Sequence, residues 1–311
     1  MRPGRDLTAQ KGQEDAAVNP TVRSAPRVTR ITGIAAFFLG VCCIARPAWA
    51  QQRPLRTDDA RLVAVGHVRT ELGIEFLQGQ SYPLSGLKGD LTRLGIFGLH
   101  VGVGDYAEFQ LSGVVRDFLS VTERTPPVIP PDFSGNATSD FGDLVLAAKL
   151  KLLAESPRRP ALAFKFSVQL PNATNESGLG KDETEFYGTL ILSKSLGRAQ
   201  MLGNLGLAVL GSPVEPNTQA DKLIFGLAGI VPLNRHLNLV GEVYGLQGPE
   251  RTGNENTAQA RVGLQFVSGS LRWDAAAIAG LHHYDANTGL ALGVTYEFQA
   301  FGRTRAPRTI K

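Results

Sequence analysis

Ten residues from Ala161 to Leu170, ALAFKFSVQL, alternate without a break. Leu162, Phe164, Phe166, Val168 and Leu170 share one parity; Ala163, Lys165, Ser167 and Gln169 share the other. Side chains alternate across a strand with period two, so one face of this segment is wholly apolar while the other carries an ammonium, a hydroxyl and an amide. The same residues wound as a helix would have no apolar stripe. Two environments want such a strand: a soluble sandwich, with the apolar face as core, or a membrane barrel, with the apolar face on lipid and the polar face on a wet lumen.

The rule repeats along the chain. Strand-like segments run over Thr70 to Gln78, Leu91 to Val103, Ala107 to Val115, Gly142 to Leu152, Ala161 to Leu170 and Glu183 to Ser193. Further ones cover Leu202 to Leu210, Lys222 to Leu233, Leu237 to Leu246, a stretch around Gln259 to Phe266, Leu271 to Leu281 and Gly289 to Phe298. Leu91 to Val103 has apolar residues on both parities and shows no facing. The connections alternate, longer and polar after odd strands (Thr122 to Ser139, Pro171 to Lys181) and short after even ones (Gly104-Asp105, Ser268-Gly269).

Twelve strands with every long loop at one end predict an all-β fold: a transmembrane antiparallel up-and-down β-barrel over 69–298, with short periplasmic turns and long external loops. Closure removes the sheet edges, which hydrocarbon would leave without hydrogen-bond partners. Opposite the apolar faces, charges of both signs recur at mid-strand. The residues predicted to line the lumen are Glu75, Glu108, Asp143, Lys149, Lys165, Glu185, Glu242, Arg261 and Glu297. Before the barrel, residues 51–68 are charged and lack a clean period; they read as a periplasmic segment, and 299–311 as a C-terminal periplasmic tail.

Composition changes the picture in one respect. Ile31 to Ile44 is an apolar run preceded by Arg23, Arg27 and Arg30 and followed by Ala48-Trp49-Ala50, the pattern of a secretory signal peptide cleaved after Ala50. Residues 1–50 carry seven of the 32 basic and three of the 28 acidic residues, so Gln51 to Lys311 balances at 25 of each. The basic character belongs to the leader, and nucleic-acid binding loses its compositional support. Both cysteines, Cys42 and Cys43, lie in the leader, so the exported chain has no disulfide framework.

Motifs of enzymes and cofactors fare poorly. Gly102 to Ala107 matches a dinucleotide fingerprint in letters, but a period-two strand follows where a helix must begin. Gly180-Lys181 lacks the remaining residues of a phosphate loop. A membrane-embedded lipid hydrolase needs a serine beside a histidine on the lipid face; none of His67, His100, His236, His282 and His283 has a serine two residues away. His282-His283 and the acidic loop Asn172, Asn175, Glu176, Asp182, Glu183 read as polar loops, without the spacing of a metal site. No cofactor or metal is expected, and no enzymatic activity.

Ser139-Asp140-Phe141-Gly142-Asp143 leading to Lys149, the stretch LPNATNESGLGKDETEF from Leu170 to Phe186, RTDDAR at Arg56 to Arg61, and Asp221 to Gly226 together resemble outer-membrane transporters grouped with the meta-pathway phenol-degradation barrel proteins. The resemblance covers most of the exported chain. It implies an outer-membrane channel for passive passage of small molecules, hydrophobic or aromatic ones included. Its partners would be outer-membrane lipid, a small-molecule solute and the barrel-assembly machinery. One departure is that Tyr296-Glu297-Phe298 does not end the chain. The residues also admit a closed structural or adhesive barrel that binds through its external loops.

Overall fold

A computed structural model describes residues 53–302; the leader and the last residues of the tail lie outside the described part. Its strands are β1 (His67–Tyr82), β2 (Leu87–Gly102), β3 (Ala107–Arg124), β4 (Ala137–Asp140), β5 (Leu144–Leu153), β6 (Ala161–Leu170) and β7 (Glu185–Leu196). They continue as β8 (Ala199–Gly211), β9 (Gln219–Pro232), β10 (Leu237–Gln247), β11 (Thr257–Ser268), β12 (Leu271–Gly280) and β13 (Thr288–Gln299). Each pairs antiparallel with its neighbour, and β1 closes the ring on β13. The short β4 and β5 both pair with β3, at Asp117–Ser120 and Ala107–Ser112 respectively. They are one stave interrupted at Phe141-Gly142-Asp143, so the thirteen strands make a barrel of twelve staves.

Period-two alternation sets which side chains face out. Outward residues are large and apolar (Leu72 52% exposed, Phe109 57%, Val262 61%), while the charged Glu71, Glu108 and Arg261 one residue away are buried. A closed sheet with an apolar outer surface and a buried polar inner one suits a bilayer, where every backbone group must be satisfied within the protein. In β2 the alternation switches phase at Gly95, whose φ is +68°. Gly73 pairs with Ile96 and Ile74 with Leu94, leaving Gly95 as a bulge. Arg93 and His100 therefore both face inward although their parities differ, which is why this strand shows no single facing in sequence.

The loop pattern differs from expectation at one place. β1 and β2 extend beyond the predicted strands, so the connection between them is only 83–86. The other connections on that end remain long (125–136, 171–184, 212–218, 248–256, 281–287), and β1 begins and β13 ends at the opposite, short-turn end.

The second difference is larger. Residues 53–65 do not precede the barrel as a separate periplasmic segment; they run through its interior, with Leu55, Thr57, Asp58, Asp59, Ala60 and Val63 all buried. The chain then turns at Gly66, whose N–H donates to Gly102 O at 3.0 Å, and enters β1.

Candidate functional site in the barrel lumen

The inserted segment makes no strand pairing. Side chains of the wall hold it, and they are segregated by charge. On one arc, Glu242 of β10 accepts the backbone N–H of Arg56 (2.8 and 2.9 Å) and of Thr57 (2.8 Å). Arg261 of β11 donates to Glu75 of β1 at 2.7 Å and to Pro54 O at 3.2 Å. Arg56 lies 3.6 Å from Glu75, and Arg53 lies 3.6 Å from Asp274 of β12. Gln265 donates to Arg53 O at 2.6 Å. The basic residues of the segment thus meet an arc rich in acids.

The other arc has the reverse sense. Lys165 of β6 ion-pairs with Asp58. Ser193 of β7 donates to Asp59 Oδ1 at 2.8 Å, Gln200 of β8 donates to Asp59 Oδ2 at 3.1 Å, and Lys149 of β5 donates to Asp59 O at 3.2 Å. Arg61 braces Asp59 from within the segment, at 2.7 Å. Farther on, the Val63 N–H donates to Glu108 of β3 at 2.6 Å. Glu108 in turn sits 3.5 Å from Lys149 and accepts from Gln110 at 2.7 Å, with His100 at 3.2 Å. Between these polar contacts Leu55 packs on Leu202, Ala228, Ile230 and Val240, and Ala60 on Ala161, Ala163 and Ile191.

Of the residues predicted to line the lumen, Glu75, Glu108, Lys149, Lys165, Glu242 and Arg261 converge on this segment. The other three do not. Glu297 pairs with Arg69 at 2.9 Å, near the short-turn end. Glu185, toward the long-loop end, takes Lys181 and the Tyr187 hydroxyl. Asp143 lies in the break of the β4–β5 stave and accepts the backbone N–H groups of Asn172 and Ala173, both at 2.9 Å. Lys149 and Lys165 therefore neither stand free around a gap nor pair across the lumen with Asp143; one is matched by Glu108, the other by the inserted segment. His100, one of the five histidines weighed for lipid chemistry, faces inward between Glu71 and Glu108.

RTDDAR, visible in sequence only as part of a resemblance, is the core of the inserted segment. SDFGD and the loop after Leu170 also meet in space. Asp140 accepts the Thr174 N–H and hydroxyl, both at 2.8 Å, and Ser85 donates to Gly178 O at 2.7 Å. The loop is thereby fastened over the long-loop end. There Leu77, Leu87, Leu91, Leu119, Ile278 and Ala291 form an apolar cluster against which Leu179 and Phe133 pack. Buried polar groups, Glu185 and Lys222 among them, share that end of the lumen with the cluster.

No family model matches this chain, and no curated protein does. Solved structures do. An outer membrane channel from Pseudomonas putida F1 aligns with a TM-score of 0.53 at 18% identity, over 77% of this chain and 98% of that one. The fold is that of an outer-membrane barrel. The translocator domain of the autotransporter NalP from Neisseria meningitidis (TM-score 0.45, 12% identity, 74% and 88% coverage) also aligns. So does the toluene transporter TodX of Pseudomonas putida (0.38, 11%, 76% and 90%). Neither of these two likenesses is close enough to carry an argument. The fold of that channel accords with the outer-membrane barrel that the sequence resemblance implies.

Proposed function

We propose that this protein is an outer-membrane channel for passive passage of small molecules, hydrophobic or aromatic ones included, and that its own N-terminal segment closes it at rest. The observation that carries this reading is the way residues 53–63 are held. Side-chain contacts alone join them to the wall, so the segment can leave without breaking the barrel's hydrogen-bonded ladder. The apolar cluster of Leu77, Leu87, Leu91 and Ile278 supports the solute class, since an apolar molecule gains by contact with such residues. Orientation follows from the loops: the long ones face the exterior and the short turns the periplasm.

Planar-bilayer conductance of the refolded chain from Gln51 tests this. Rare openings that become frequent when the segment's contacts are weakened are expected. A folded, heat-modifiable barrel that stays silent even then would favour the second reading, a closed structural or adhesive barrel. That reading is supported by the fastening of loop 171–181 through Asp140, Asp143 and Ser85.

A further inference from the structure

Two lysines of the wall face one another. Lys149 and Lys165 are directly opposite in the β5–β6 register, and like charges so placed destabilise a sheet unless something offsets them. Lys149 has an acid of the wall, Glu108, at 3.5 Å. Among the described residues Lys165 ion-pairs only with Asp58 of the inserted segment. Ser193 and Gln200 spend their donors on Asp59 in the same way. Donors from three adjacent strands thus converge on carboxylates that the wall does not own.

The opposite arc is different. If the segment withdrew, Glu242 and Asp274 would lose donors of the segment, but Glu75 would keep Arg261 at 2.7 Å and Arg93 at 4.0 Å, and Glu242 would keep Arg261 at 3.7 Å. Lys165, Ser193 and Gln200 would instead lose the acids they hold. An ammonium, a hydroxyl and an amide N–H, set to reach neighbouring oxygens, suit a carboxylate through charge-assisted hydrogen bonds. Three residues back from Asp58, Leu55 occupies the apolar patch of Leu202, Ala228, Ile230 and Val240.

We infer, building on the channel reading, that the segment fills a binding site for a small organic acid. The acid's carboxylate takes Lys165, Ser193 and Gln200 and its apolar body takes the Leu55 patch, so it competes with Asp58 and Asp59 and releases the segment that blocks its own passage.

Because Gln51 to Lys311 contains no cysteine, Thr57→Cys, at a side chain only 1% exposed, supplies a single thiol that reports withdrawal of the segment. Benzoate and benzyl alcohol are the probes, one ring with and without a carboxylate, and the readout is the rate of labelling by a soluble maleimide in liposomes. Saturating benzoate is expected to raise that rate about tenfold by shifting the population toward the withdrawn state. Benzyl alcohol is expected to leave it unchanged, and Lys165→Gln to abolish the benzoate response. Ser193→Ala, a smaller change at the same site, is expected to move the response to severalfold higher benzoate. Equal acceleration by both probes overturns the carboxylate site, and so does a benzoate response that survives Lys165→Gln. Indifference to benzoate in a protein that conducts overturns the site and leaves the channel reading standing. A Lys165-dependent response in a barrel that never conducts supports the site and removes the channel reading.

Discussion

Glu242→Gln isolates the hold of the wall on the inserted segment. Glu242 is buried and takes the N–H groups of Arg56 and Thr57 on its two carboxylate oxygens at 2.8–2.9 Å. Hydrogen bonds to a charged group contribute about 1.5–3 kcal/mol each. Glutamine has the same shape, and its one oxygen in the Oε2 position can still accept from both residues, but both bonds lose their charge and the NH2 confronts the Arg56 N–H that Oε1 accepted. The net weakening is about 2 kcal/mol, or about 30-fold in the ratio of withdrawn to docked segment. The barrel itself should tolerate the change, because Arg261 keeps its 2.7 Å contact with Glu75 and lies farther, 3.7 Å, from Glu242. Single-channel recording measures the fraction of time spent at full conductance, and heat-modifiable gel migration verifies that the barrel is intact. An open fraction within about threefold of wild type, in an intact barrel, would refute the claim that Glu242 holds the segment in the current path.

Other outcomes follow from the same geometry. Phe166→Arg, at an outward side chain 46% exposed, should cost on the order of 2–4 kcal/mol in refolding into bilayers if that face meets hydrocarbon; denaturant midpoints equal to wild type would contradict the facing. Asp143→Asn leaves a backbone N–H of Asn172 or Ala173 with a poorer acceptor and should loosen loop 171–181 by about 1–3 kcal/mol. Faster proteolysis within that loop, with the barrel intact, is the expected sign. Gly142→Ala would place a Cβ 2.7 Å from Val114 Cβ, so the break in the β4–β5 stave should widen or the barrel should lose stability, read as a lower denaturation temperature.

The wall was legible because lipid and lumen impose period two on each strand. Phe166 and Lys165 reveal opposite faces by adjacency alone. β2 was not legible, since the bulge at Gly95 shifts the phase midway and a single parity cannot describe both halves. The stave formed by β4 and β5 was half hidden, because Ala137–Asp140 is too short to show a period of its own. The inserted segment was hidden for a deeper reason. Arg56, Asp58, Asp59 and Val63 are chosen by partners that lie on distant strands, so no local period records them. What could have exposed the segment is a mismatch between strands. Lys149 and Lys165 fall opposite one another in the β5–β6 hairpin, Glu108 can answer for only one of them, and the chain had to bring another acid from elsewhere.

The occupied lumen is tested most directly by fixing the segment in place. A Cβ built at Gly226 of β9 lies 2.9 Å from Thr57 Oγ1, so Thr57→Cys with Gly226→Cys, made in Gln51 to Lys311, puts two thiols within bonding reach in a stretch otherwise free of cysteine. Conductance is then recorded from one preparation, oxidised and afterwards reduced. The oxidised channel should show no full openings and reduction should restore them. Full openings of equal frequency in both states, with the disulfide verified by mass, would contradict the claim that residues 53–63 close the path.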